Sequence, residues 1–226
     1  MPWRATITQV SSPLAGHPAQ LERARLADAL AAAGPDAPTL CTGWTSRDLA
    51  AHLVARERRP DSTPGLLLRP LAGWTERVRQ RYAARPYAEL VHLVRSGPPR
   101  TSPFALPGVD RVVNLTEHFV HTEDVVRGAL PGPPAAPQVL EPAVDGALWG
   151  MLRARARMML GRAGVAVMLT TPDGREHQVG DGLAMRLVGT PGELVLVAFG
   201  RGRAAVVRTE GDPEALARFA AADLRV

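Results

Sequence analysis

The segment ALPGPPAAPQ, residues 129–138, divides the sequence into two parts with different hydrophobic patterns. It combines Pro, Gly and Ala with no charged residue, which is typical of a linker between folded units. Apolar residues before it recur at helical spacing, whereas the part after it contains short apolar runs separated by turn signals. We therefore predict two domains, residues 1–130 and residues 139–226, joined by a linker at about 131–138.

The part before this linker is predicted to be almost entirely helical. Its predicted helices lie in HPAQLERARLADALAAAG, TSRDLAAHLVARERR, LLLRPLAGWTERVRQRYAA, YAELVHLVRSG and VDRVVNLTEHFVHTEDVVRG. Thr45 can cap the second helix, Asp48 lies in its acidic first turn, and Pro60 ends it. Gly34 closes the first helix, and Gly128 stops the last one.

The part after the linker is predicted to mix helices and short strands. A long helix in LEPAVDGALWGMLRARARMML precedes five predicted strands: GVAVMLTT, HQVG, LAMRLVGT, ELVLVAFG and AAVVRTEG. The segments PDG and GTPGE are read as turns between strands. Asp212 can cap a closing helix that has Pro213 at its first position. The predicted fold class is therefore α+β, with a helical domain followed by a small mixed α+β domain.

The basic composition does not indicate nucleic-acid binding. The net charge is +5 and the 27 basic residues are all arginine, spread along the chain. The densest run, Arg56–Arg59, is interrupted by Glu57 and followed by Pro60. A single isoleucine, Ile7, and a single asparagine, Asn114, indicate the codon usage of a GC-rich genome rather than a selected basic patch. We predict no nucleic-acid partner.

The chain is expected to be a cytoplasmic protein without a membrane segment. Its opening stretch, MPWRATITQVSS, has no apolar core of a secretory signal, and no run reaches the roughly 18 apolar residues of a membrane span. Cys41 is the single cysteine, which excludes an intrachain disulfide and fits a reducing compartment. The sequence does not distinguish a monomer from a homodimer.

The strongest candidate site is a metal site shared by two helices. Glu117 and His121 are four residues apart, which places them on one helix face, and Asp124 continues that stripe. His52 lies on the apolar face of another helix, where an unpaired polar group would be costly. Pairs with this spacing also occur on solvated helices, and His52 could be a hydrogen-bonded core residue. Spacing alone leaves both interpretations open.

The other titratable residues are weaker candidates for this site. His118 is three residues from His121 and could flank the site as a further ligand or as an acid/base group. Cys41 is interpreted as a small, half-buried residue before a Gly-Trp turn rather than as a nucleophile. The remaining histidines are interpreted as lying outside the site: His17, His92 and His177.

Two motifs resemble those of the mycothiol-dependent maleylpyruvate isomerase family, which belongs to the DinB/YfiT-like group. TLCTGWTSRDLAAHL contains a Gly-Trp pair, a capped helix start and a histidine after D-L-x-x. NLTEHFVHTEDVVRG contains a Glu and a His four residues apart near the end of the helical domain. ARERRPDSTPG and VRSGPPRTSP are similar to an actinobacterial subgroup described as metal-binding. The resemblance covers most of the chain.

The resemblance implies an N-terminal DinB-like four-helix bundle that binds a divalent ion through His52, Glu117 and His121. Two histidines and one carboxylate leave positions open for water or substrate, as catalytic Zn²⁺ requires. The same ligands could hold Fe²⁺ or Ni²⁺. Glu123 and Asp124 are better placed to support or cap than to act as ligands.

The resemblance also implies mycothiol as a co-substrate. In the family, a metal-bound thiol becomes a thiolate and adds to a small electrophilic substrate, followed by cis–trans isomerisation or S-transfer. An anionic substrate would need an arginine anchor, for which Arg127, Arg201 and Arg203 are candidates, although each could also be a solvated surface residue. The alternative is a non-catalytic metal- or ligand-binding module whose C-terminal half forms a carrier-like pocket.

Overall fold

A computed structural model of the chain describes residues 17–62, 70, 72–106, 113–182 and 184–224. The predictions for the opening stretch before residue 17, for the start of the third helix and for the helix start at 109–112 lie outside these described residues. The structure therefore tests the two ligand-bearing motifs and most of the C-terminal half.

The described helical part contains α1 (Pro18–Ala33), α2 (Ser46–Arg58), α3 (Ala72–Ala83), α4 (Tyr87–Ser96) and α5 (Leu115–Arg127). Helix α1 packs against α5 and α4, whereas α2 packs against α3 and α4. These contacts join the helices into the predicted helical bundle. Within the described ranges, no helix has the length and hydropathy needed to cross a bilayer.

The start of α2 is fixed by its first four residues. The Thr45 side chain accepts a hydrogen bond from the Asp48 amide, and the Asp48 carboxylate accepts one from the Thr45 amide at 3.1 Å. This reciprocal pair is a capping box, which satisfies two amides that the helix leaves without backbone partners. The predicted cap is confirmed, and it sets the register that places His52 on the bundle side of α2.

Gly128 follows the last residue of α5, at a point where the neighbouring loop leaves no room for a side chain. A Cβ atom at Gly128 would lie 2.2 Å from the Pro38 carbonyl oxygen and 2.5 Å from the Thr39 Cα. The φ angle of Gly128 is −60°, which any residue can adopt. Close approach of two backbones, rather than a left-handed conformation, therefore requires glycine here.

We expect Gly128→Ala to lower the free energy of unfolding by about 1–3 kcal/mol, because the backbone at residues 38–39 must move away. Urea unfolding followed by circular dichroism measures the change. Gly132→Ala is the control, since nothing lies within 4 Å of the Cβ position there. Equal stabilities of the two variants would contradict the proposed crowding.

The C-terminal half combines three helices with a four-stranded sheet in the described ranges. Its elements are α6 (Pro142–Leu160), β1 (Val167–Thr170), β2 (Glu176–Val179), β3 (Met185–Val188), α7 (Pro191–Ala198), β4 (Arg208–Gly211) and α8 (Pro213–Ala221). The strand order is β2-β1-β3-β4, with β1 parallel to β3 and both outer pairs antiparallel. The predicted α+β fold class is confirmed.

The prediction of a strand in ELVLVAFG is wrong, because this segment forms α7. Thr190 is extended at the N-cap and Pro191 occupies the first helical turn, so the GTPGE segment begins a helix instead of making a turn between strands. All residues of Pro191–Ala198 are buried. A short apolar run buried on every side has no periodicity that separates a strand from a helix.

Two hydrophobic cores meet at α5. The core of the helical part includes Leu26, Leu49 and Val125. The other core joins α6, α7 and the sheet to Leu115 and Phe119 of α5. The C-terminal core therefore includes residues that precede the predicted linker, and the helix that carries Glu117 and His121 is packed from both sides.

Candidate metal centre

His52 of α2 and Glu117 and His121 of α5 bring three ligand atoms together. Glu117 Oε1 lies 3.5 Å from His52 Nε2 and 3.2 Å from His121 Nε2. One ligand atom of each residue lies within 4.8 Å of the others. A tetrahedral zinc ion with bonds of about 2.0–2.1 Å spaces its ligands about 3.3 Å apart. The donor types and both measured spacings therefore fit a divalent ion.

This three-residue cluster lies close to the surface. The side chains of His52, Glu117 and His121 are 13%, 23% and 12% exposed. The Trp44 ring packs beside the cluster, with its centroid 5.2 Å from that of the His52 ring. The three side chains are thus held by packing, and each keeps a small part of its surface accessible.

The protonation of the cluster follows from burial and mutual hydrogen bonding. Burial lowers the pKa of His52. Burial also disfavours charge on His121, but hydrogen bonds with Asp124 and Glu117 outweigh it and raise the pKa of His121 well above its usual value. Burial opposes ionisation of Glu117, yet hydrogen bonds with His121 and His52 hold its pKa well below the usual value. Glu117 is therefore ionised, and an ion that binds would displace a proton from His121.

Asp124 and Arg201 support His121 from the other side of its ring. Asp124 Oδ2 lies 2.9 Å from His121 Nδ1, so a proton on Nδ1 leaves Nε2 directed at Glu117, as a metal ligand requires. Arg201 donates from Nε and Nη2 to the two oxygens of Asp124 at 2.9 and 2.8 Å. Burial opposes ionisation, but His121 and Arg201 hold the pKa of Asp124 well below its usual value. The expected supporting role of Asp124 fits this geometry.

Cys41 lies beside the same carboxylate. Its Sγ is 3.2 Å from Asp124 Oδ2 and 3.5 Å from Arg201 Nη2. The Leu40 amide donates to the Asp124 carbonyl at 3.0 Å, which holds this loop on α5. Cys41, His121 and Asp124 form a second group of potential ligand atoms within 4.8 Å. The sequence analysis did not place Cys41 beside Asp124, because no residue near Cys41 in the chain indicates this contact.

His118 and Glu123 point away from the three-residue cluster. His118 is fully buried, and its ring nitrogens lie 3.3 Å from a backbone carbonyl of α1 and 3.4 Å from Glu57 Oε1. Glu123 forms ion pairs with Arg25 and Arg127. His118 therefore does not flank the three ligand atoms, and Glu123 forms ion pairs elsewhere instead of supporting a ligand.

The three arginines expected as anion anchors have different environments: Arg127, Arg201 and Arg203. Arg127 is 2% exposed and donates to both carboxylate oxygens of Glu193, at 2.9 and 2.7 Å, so it is not available to a substrate. Arg201 is held by Asp124. Arg203 is exposed and forms no ion pair within the described residues. Of these three arginines, Arg203 is the one without an ion pair among the described residues.

Arg56 is a neighbour of the cluster that the sequence analysis did not select. Its Nε lies 3.7 Å from Glu117 Oε1, and its Nη1 donates to Asn114 Oδ1 at 3.1 Å. The guanidinium also lies over the Phe104 ring, 4.2 Å from the centroid. Arg56 is four residues after His52 on α2, and this helical spacing is the signal that could have identified it.

Residues 18–102 match the family model described as the mycothiol maleylpyruvate isomerase N-terminal domain. The predicted family resemblance is confirmed. The matched segment contains His52 and ends before Glu117 and His121. The sequence comparison therefore supports the family motif on α2. The α5 motif lies outside the matched segment, and the fold places it beside His52.

Two solved structures share the fold of this chain. One is a mycothiol-dependent maleylpyruvate isomerase, with a TM-score of 0.55 and 14% identity, over 85% of this chain and 90% of that chain. The other is a histidine-to-alanine mutant of a mycothiol-dependent maleylpyruvate isomerase, with a TM-score of 0.55, 15% identity and the same coverage. No curated protein matches this sequence. The similarity extends beyond the helical bundle into the C-terminal half.

Proposed function

We propose that this protein binds one divalent ion, Zn²⁺ in preference to Fe²⁺ or Ni²⁺, through His52, Glu117 and His121. In this proposal a small thiol of the mycothiol class is activated there to attack a small electrophilic substrate, leading to isomerisation or S-transfer. The observation that most supports the proposal is the convergence of three ligand atoms from two helices within 4.8 Å. The family match of residues 18–102 supports the choice of thiol.

The chain's own residues would perform distinct tasks in this chemistry. When bound, a divalent ion lowers the pKa of a coordinated thiol and so provides a nucleophile at neutral pH. Two histidines and one carboxylate leave coordination positions open for that thiol. Asp124 keeps Nε2 of His121 directed at the ion position, and Arg201 keeps Asp124 ionised.

A thiol-binding experiment tests this function. Cobalt-substituted protein is titrated with mycothiol, and the zinc-loaded protein is then assayed with mycothiol and electrophiles, including maleylpyruvate. We expect mycothiol to change the cobalt spectrum and expect turnover only when metal and thiol are both present. If no thiol changes the cobalt spectrum, the proposed thiol activation is wrong.

A non-catalytic ligand-binding module is the second candidate function. A cavity of about 780 Å³ beside the C-terminal sheet favours it, because a cavity of this size can hold a small molecule without any reaction. Thiol binding to the cobalt protein without turnover of any electrophile would favour this candidate over the transferase or isomerase.

Asp124, which contacts His121, and Arg201, which contacts Asp124, should influence the affinity for the metal. We expect Asp124→Asn and Arg201→Gln to weaken zinc binding by about 10–100-fold, because each removes a hydrogen-bonding partner that orients a ligand. Competition with a chromophoric chelator measures the affinity. Arg203→Gln, two residues along the same loop, is the matched control and should bind zinc as the parent does. Equal affinities of the Arg201 and Arg203 variants would contradict a supporting role for Arg201.

A further inference from the structure

The cavity of about 780 Å³ lies between the helical part and the C-terminal half. Leu40 and Thr42 line it from the helical part, and residues of β3, α7, β4 and α8 line it from the other side. Ligand pockets commonly measure about 300–1,000 Å³ and are frequent where two structural units meet. Both its size and its position are therefore those of a small-molecule site.

Two loop segments, residues 40–42 and residues 200–202, contribute both to this cavity and to the support of the metal cluster. In each segment the outer residues line the cavity, whereas the middle residue, Cys41 or Arg201, contacts Asp124. None of the three metal ligands lines the cavity. The cavity is therefore a site distinct from the metal cluster.

The cavity has an apolar floor and a polar rim. Leu187, Val197 and Phe219 contribute side chains that are 1%, 3% and 8% exposed. The hydroxyl-bearing side chains of Thr42 and Thr209 also belong to the lining. Such a lining favours a molecule with an apolar body and at least one polar group.

Arg203 supplies the positive charge of this lining. It is exposed and forms no ion pair within the described residues, whereas Arg127 and Arg201 are each held by a carboxylate. Asp223 also lines the cavity, but it is exposed and has an interaction of its own. A guanidinium without a counter-charge binds a carboxylate through charge-assisted hydrogen bonds.

We propose that this cavity binds a small amphipathic carboxylate, with its apolar body on the floor and its carboxylate on Arg203. The proposal goes beyond the proposed metal-dependent function, since the site contains none of the three metal ligands. Binding in the cavity therefore persists in the metal-free protein.

Isothermal titration calorimetry with 1-naphthoate and its neutral analogue 1-naphthalenemethanol tests the proposal. The full-length protein is titrated after chelation and again after zinc loading. We expect about one equivalent of naphthoate to bind, at least about tenfold more tightly than the alcohol, in both metal states. Loss of binding on chelation, or equal affinity for the two probes, would overturn the proposal. Naphthoate binding to a protein that takes up no metal would refute the proposed function and leave this inference standing.

Two kinds of variant locate the probe in the cavity. We expect Arg203→Gln to weaken naphthoate binding about tenfold and to leave the alcohol unchanged, whereas Arg155→Gln, on the exposed face of α6, changes neither. Thr209→Trp fills the cavity from an exposed strand position and should remove binding of both probes. If the Thr209 variant does not fold, Ala221→Trp on α8 serves as the second cavity-filling variant. Unchanged naphthoate binding in the Arg203 variant or in a folded cavity-filling variant would overturn the assignment.

Discussion

His121→Ala is expected to reduce bound metal from about one equivalent per chain to less than about a tenth, because three protein ligands are the minimum of a catalytic zinc site. His52→Ala and Glu117→Ala should have the same effect, since Glu117 Oε1 is within 3.5 Å of both histidine nitrogens. Elemental analysis of protein purified without a histidine tag, after zinc-replete and iron-replete growth, measures the content.

Control variants separate ligand loss from unfolding. His92→Ala and His177→Ala should retain the metal, because neither residue belongs to a group of potential ligands among the described residues. Equal loss in all five alanine variants would point to general unfolding, which circular dichroism would detect. Cys41→Ser tests the second group of potential ligand atoms, which belong to Cys41, His121 and Asp124. Loss of metal in this variant would mean that the ion binds to Cys41 and Asp124 rather than to His52 and Glu117.

Arg127→Ala is expected to lower the free energy of unfolding by about 3–5 kcal/mol, because it leaves the buried carboxylate of Glu193 without its counter-charge and removes one of the two arginine partners of Glu123. Arg127 donates to Glu193 at 2.7 and 2.9 Å and to Glu123 at 2.5 Å, and all three side chains are about 2% exposed. Urea unfolding monitored by circular dichroism and by tryptophan fluorescence measures the loss.

A surface ion pair provides the control for the Arg127 variant. Arg85 and Glu89 lie 2.9 Å apart, with side chains 47% and 43% exposed. Arg85→Ala should cost less than about 1 kcal/mol, because water screens the pair and both long side chains regain freedom. A loss in Arg127→Ala no greater than that in Arg85→Ala would mean that the buried network does not stabilise the fold.

Local sequence signals predicted most of the fold. Thr45 and Asp48 mark the start of α2, and the helical spacing of Glu117 and His121 identifies the face of α5 that meets His52. The strand error in α7 has a physical cause, since a segment buried on all sides needs no polar face. Its structure is decided by neighbours distant in the sequence, which hydrophobic periodicity does not record.

The candidate site was only partly accessible to sequence reasoning. The grouping of His52 with Glu117 and His121 could be anticipated, because a histidine on an apolar helix face needs a partner. The contacts of Arg201 could not, since it meets Asp124 across 77 residues and Cys41 across 160 residues. Such contacts arise from docking of the two halves and leave no local pattern.

Helix α5 contributes to both hydrophobic cores, which limits where the chain can be cut into parts that fold independently. A cut in residues 129–138 would leave Leu115 and Phe119 of α5 without the C-terminal residues that cover them, and Arg127 would lose Glu193. We therefore expect the segment predicted as a linker to connect two parts of one cooperative unit. We expect the helical half expressed by itself to aggregate, and the intact chain to unfold in a single transition.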